Sequence, residues 1–322
     1  MKKFLLTSSA LVASAGVAAA DVSISGSAEM GIFGGTHDHA QFHQTLDVTF
    51  SMSGTTDNGL EFGASIDLDE SDGSGSFADG DTEGSAGAFD AADDGGATVF
   101  IRGGWGTLTM GDTDGAADWA TSEAGGIGNP GTLADDETSH SGALNNALDG
   151  EYDGQILRYD YTAGSFGVAV SAEMDDDDDL DPGFAVGAMY SMDIGTASVG
   201  FGLGYQTVAV DATNDANWIG GTVTASLAGG LELGVQLSQY DDDRAGEDWD
   251  HIGVGAGYTV NAISLHANYG EYDNETGADV SGYGLAAAYD LGGDASLTLG
   301  YGQSDDGTDT SDSWSFGLSM SF

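Results

Sequence analysis

Residues 45–68 read TLDVTFSMSGTTDNGLEFGASIDL. Leu46, Val48, Phe50 and Met52 alternate with Thr45, Asp47, Thr49 and Ser51. After the Ser53–Asn58 turn, Leu60, Phe62, Ala64, Ile66 and Leu68 alternate with Glu61, Ser65 and Asp67. A period of two puts the apolar residues on one face and the polar ones on the other, which predicts two antiparallel strands joined by a hairpin.

The same rhythm runs outward in both directions. Upstream, Val22, Ile24, Ala28, Met30 and Ile32 oppose Ser23, Ser25, Ser27 and Glu29. Downstream, similar segments recur to a last strand carrying Trp314, Phe316, Leu318, Met320 and terminal Phe322. The pattern predicts sixteen strands, with short turns after the even strands and longer acidic loops after the odd ones. That is the signature of a transmembrane antiparallel β-barrel. Aromatic residues are expected at both edges of the apolar face. Trp105, Phe166, Phe184 and Phe322 would lie near the short turns, and Tyr205, Trp218, Tyr240, Tyr269 and Tyr301 near the long loops. No helix is expected.

Met1–Ala20 reads as a secretory signal peptide: Lys2 and Lys3, an apolar run from Phe4, then Ala18-Ala19-Ala20. The barrel would then occupy 21–322. Cleavage would remove two lysines and no acid, moving the formal net charge from −49 to −51. Arg102, Arg158 and Arg244 would remain against 54 acids. Such a chain cannot neutralise phosphates, so nucleic acid is excluded as a partner. With no cysteine, disulfides and thiol chemistry are excluded as well.

One stretch breaks the rhythm. Asp112–Asp153 has no strand pattern, holds ten acidic residues and contains no Lys or Arg. A connection that long in a compact fold is usually functional.

Phe50–Asp67, Gly106–Asp112 (GTLTMGD), Tyr159–Ser171 (YDYTAGSFGVAVS) and the terminal strand ending in Phe resemble the general diffusion porins of Gram-negative outer membranes, especially the alphaproteobacterial type. The resemblance implies a homotrimer of sixteen-stranded barrels in outer-membrane lipid, inserted by the outer-membrane assembly machinery through the strand ending at Phe322. It also implies that the third long loop, here 112–153, folds inward as a constriction. Such porins usually face the acidic loop with a basic cluster, and that side is nearly missing here.

On this reading the chain is a water-filled, cation-preferring channel for ions and small hydrophilic solutes. Asp114, Asp118, Glu123, Asp135, Asp136 and Glu137 would form the constriction, with Arg158 on the wall it faces. Arg102, Glu29, Asp47, Glu61, Asp67, Asp160 and Glu232 would line the pore wall. A negative throat between low-dielectric walls concentrates cations. No cofactor is required. Asp79, Asp81 and Glu83 before Gly84, together with Asp90, have partial EF-hand-like spacing and are candidate calcium ligands. The runs Asp175–Asp179 and Asp241–Asp243 are dense in carboxylates; the alternative for all of these is a solvated acidic surface. Gly200-x-Gly202-x-Gly204 lies within a strand and precedes no helix, so it is not a phosphate loop. No nucleophile motif opens a helix, and no enzyme is expected. The rival function is a secreted, calcium-stabilised β-rich adhesin or surface-layer protein, which would share the acidity and the leader but would not need the sixteen alternations.

Overall fold

The computed structural model describes residues 21–36, 39–71, 96–133, 137–143, 148–149, 152, 155–175, 180–244 and 246–322. The leader assignment, 1–20, lies outside the described residues. In chain order the strands are β1 (Asp21–Gly35), β2 (Gln41–Thr55), β3 (Glu61–Ser71), β4 (Ala97–Gly103), β5 (Gly106–Gly111), β6 (Ile156–Ala163), β7 (Phe166–Glu173) and β8 (Gly183–Ile194). They continue as β9 (Ala197–Asp211), β10 (Asn214–Leu227), β11 (Leu231–Asp242), β12 (Trp249–Val260), β13 (Ile263–Asn274), β14 (Val280–Asp290), β15 (Ala295–Asp305) and β16 (Thr310–Ser321). Each pairs antiparallel with its sequence neighbours, and β1 pairs with β16 to close the barrel. The seam ends on a reciprocal pair: Phe322 N donates to Gly26 O at 2.8 Å and Gly26 N to Phe322 O at 3.2 Å.

The two faces separate as the alternation requires. Along β11, Val235 and Leu237 are 44% and 57% exposed, while Gln236 and Ser238, which alternate with them, are 1% and 7% exposed. Turn chemistry sets the short connections. Asn261 and Asp294 take positive φ, as do Gly229 and Gly230 in the β10–β11 turn. Asn, Asp and Gly tolerate that region best.

Four expectations are corrected. The connection after β9 is not a long acidic loop but the two residues between Asp211 and Asn214. The Asp211 carboxylate accepts from the backbone N–H groups of Thr213 and Asn214 at 2.8 and 3.0 Å, which fixes a tight turn and lets both strands run on. Trp218 and Tyr240 do not join an exterior girdle. Their even positions put them on the inner face, opposite exposed Ile219 and Leu237, and Trp218 is fully buried. Phe184 is exterior, but it opens β8 at the long-loop end. A short helix also exists: α1, Ala116–Ala120.

The buried apolar cluster sits where α1 meets the wall. It joins Ala116, Ala117 and Leu148 to Ala169, Ala185, Val208, Ala216 and Trp218. Leu203, 66% exposed in mid-β9, tests which face meets lipid. Leu203→Arg should destabilise the barrel by roughly 2–4 kcal/mol in urea unfolding from lipid vesicles; an unchanged midpoint would mean that this face is not in hydrocarbon.

Candidate functional site in the β5–β6 connection

Described residues of the connection from β5 to β6 pack their backbone against strand glycines. A Cβ on Gly187 of β8 would stand 1.9 Å from Ala116 O, and one on Gly202 of β9 2.1 Å from Ala120 O. On Gly255 of β12 it would be 1.8 Å from Ala124 O, and on Gly270 of β13 1.7 Å from Gly142 O. On Gly302 of β15 it would be 2.4 Å from Glu137 O. No side chain fits at such distances, so these strand glycines form a bed for backbone. The Gly-x-Gly spacing within strands was the available signal, since an interior strand glycine marks a close backbone approach.

Polar side chains of the wall then fix the connection in register. Gln206 Oε1 accepts from Leu148 N at 3.0 Å, and Gln236 Oε1 from Ala124 N at 3.1 Å. Asn268 Nδ2 donates to Thr138 O at 2.7 Å. His266 Nδ1 and His251 Nε2 lie 2.9 and 2.8 Å from the carbonyls of Ile127 and Gly142, so those two ring nitrogens carry the hydrogens. Ser141 N donates to Ser304 Oγ at 2.9 Å. Losing one partner of such a buried bond costs about 1–3 kcal/mol.

Asp149 ties the ends of the connection together. Its Oδ2 accepts from Gly115 N at 2.7 Å and its Oδ1 from Gln206 Nε2 at 2.8 Å. Burial pushes its carboxyl above the usual range, and the two donors offset part of that. Asp112 is also raised, by desolvation and then by the charge of Asp114.

The expected constriction acids do not share one environment. Asp114 is exposed, and Asp118 and Glu123 are partly exposed. Glu137 is 2% exposed and packs over Gly300 and Gly302, so it is part of the contact with β15 and not of an open surface. Asp135 and Asp136 lie outside the described residues, as do the calcium candidates Asp79, Asp81, Glu83 and Asp90. Among the described residues, no group of three or more His, Cys, Asp or Glu side chains is placed to hold a metal.

Arg158 is 9% exposed. Its guanidinium donates to Asp114 O, lies 3.5 Å from Asp160 and sits 6.0 Å from the Trp119 ring centre. It is held beneath the start of the connection. Arg102 pairs with Glu61 across β3 and β4 at 2.5 Å, and Arg244 with Asp242 at 2.5 Å. Elsewhere on the wall, Ser27 donates to Asp47, Thr49 donates to Asp67, and Glu29 lies 3.8 Å from His43. Glu232 is exposed beside Gly128. All three arginines are thus engaged, while acids remain open.

Comparison with known proteins agrees with this architecture. The family model described as Gram-negative porin matches residues 7–310. A porin of Rhodobacter capsulatus is 30% identical over 315 residues, covering 88% of this chain and 95% of that protein. A porin structure refined at 1.8 Å superposes with a TM-score of 0.72 at 27% identity, covering 94% of this chain and 100% of the other. A triple mutant of Rhodopseudomonas blastica porin gives 0.65 at 17% identity over 94% and 100% of the chains, a likeness of fold.

Gly255→Val should leave strand pairing intact, because β-branched residues suit strands, yet force Ala124 off the wall. Limited proteolysis should cut within 112–155 faster than in the parent. Equal cutting rates would show that the glycine bed does not hold the connection.

Proposed function

The chain belongs to the Gram-negative porin family and is an outer-membrane β-barrel, and from that premise we propose that it is a trimeric, passive, cation-preferring channel narrowed by its β5–β6 connection. The family membership sets aside the secreted adhesin reading. That the matched relatives are porins supports a channel over an enzyme.

One observation carries the selectivity: all three arginines are engaged, while Asp114, Asp118 and Glu123 keep solvent contact on the connection. In a narrow aqueous path, acids of one sign raise local cation concentration. Salt does not erase the effect, because the screening length of about 8 Å at physiological ionic strength is comparable to a narrow throat. The inward position of the connection is supported by the glycine bed and by the wall hydrogen bonds, all on the face away from the exposed apolar residues. Loops at the long-loop end would face outward, and the β16 strand ending at Phe322 would engage the assembly machinery.

In planar bilayers the protein should step in units of three and give a reversal potential of cation-selective sign in a KCl gradient. Anion preference would overturn the charge argument. Arg158→Ala should increase the cation preference, because it unmasks Asp160 and frees the carbonyl of Asp114 without removing an acid; an unchanged reversal potential would place Arg158 outside the ion path.

The preference should weaken as pH falls. Asp112, at the start of the connection, holds its proton more tightly than an ordinary carboxyl, because desolvation and then the charge of Asp114 raise it. Any share of the preference that Asp112 carries should therefore decline from above the usual carboxylate range near about 4. A selectivity independent of pH down to that range would show that Asp112 does not contribute to it.

A further inference from the structure

At the long-loop end of the barrel, a cleft of about 430 Å³ opens between the connection and the wall. Ser139, His140, Ser141 and Gly142 form one side, and Trp249, Tyr272, Asn274 and Val280 the other. None of these residues is Asp, Glu, Lys or Arg, although the chain carries a net charge of −49. The volume falls within the roughly 300–1,000 Å³ typical of small-molecule sites.

The aromatic side is held rigidly. Trp249 stacks on Tyr240 with centroids 5.3 Å apart and planes 4° apart, and meets Tyr272 edge to face at 4.9 Å. Tyr240 Oη donates to Asp242 Oδ2 at 2.7 Å, and Arg244 clamps the same oxygen at 2.5 Å. Asp242 N in turn donates to Asp248 Oδ1 at 2.8 Å. Arg244 therefore acts behind the cleft, as the anchor of its aromatic wall. Burial favours the neutral form of His140 on the facing side.

We propose that this cleft binds a neutral, polyhydroxylated ring, a sugar, on its way into the channel. A sugar ring has apolar C–H faces that suit aromatic side chains and hydroxyl edges that suit serine, imidazole and amide groups. An anion would be repelled by the surrounding acids, and a cation would find better partners among them than in an uncharged cleft. The inference rests on the channel reading for its biological meaning, and the test separates the two.

Maltose would be added on the long-loop side of the protein in a planar bilayer, with polyethylene glycol of similar mass as the control. Maltose should reduce the ion current in a saturable way, whereas the glycol should only scale with added volume. Calorimetric titration of the detergent-solubilised full chain with maltose reads binding whether or not the channel conducts. Trp249→Ala should raise the half-saturating concentration at least tenfold, with folding checked by heat-modifiable mobility on gels; should that variant not fold, Asn274→Ala serves the same purpose. No saturable binding by the parent protein, or unchanged binding in a folded variant, would overturn the cleft. Loss of conductance in salt alone, with calorimetric binding intact, would overturn only the channel.

Discussion

A strand in hydrocarbon has no water to pair with its backbone, so each peptide group must find its partner in the next strand. The closure of β1 on β16 is where this protein meets that demand, and the reciprocal Gly26–Phe322 bonds finish it. With the edges removed, the period-two alternation has only two places to put side chains. The exterior takes Leu203, Val235 and Leu237; the interior takes Gln236, Ser238 and the polar wall. The separation of apolar exterior from charged interior follows from closure and needs no further instruction.

The described residues of the β5–β6 connection pack on the strands by a different principle. Its backbone rests on strand glycines, and wall side chains supply donors and acceptors one at a time. Among the described residues, the buried apolar cluster lies near α1, around Ala117, Val208 and Trp218. The connection is thus fixed mainly by fit and hydrogen bonding. Loss of a single contact there should alter its path more readily than it unfolds the barrel, because the strand ladders do not depend on it.

Much of this was legible in residues 45–68 and their repeats, because parity alone decides the face of a strand residue. Parity also places Trp218 and Tyr240 inside, whereas nearness to a loop says nothing about the face. The β9–β10 turn is hard to see in the sequence because polar residues such as Gln206 and Asn217 resemble loop taken singly, although both lie in the ladder. The anchors of the connection could not have been read. Gln236 and Ala124, or Asn268 and Thr138, are more than a hundred residues apart, and only the closed barrel brings them together. The burial of Glu137 is of the same kind, since it depends on where the connection crosses β15.

The engagement of all three arginines has a consequence beyond ion preference. With no unengaged arginine among the described residues, neutrality inside the proposed channel would be completed by dissolved ions drawn from the medium. In the channel proposed above, the interior would behave as a Donnan compartment, in which the cation content follows the fixed carboxylates more than the bath. In dilute solution the ions inside would differ sharply from those outside, and in brine the two would converge. The same barrel would sort solutes by charge in fresh water and mainly by size in the sea.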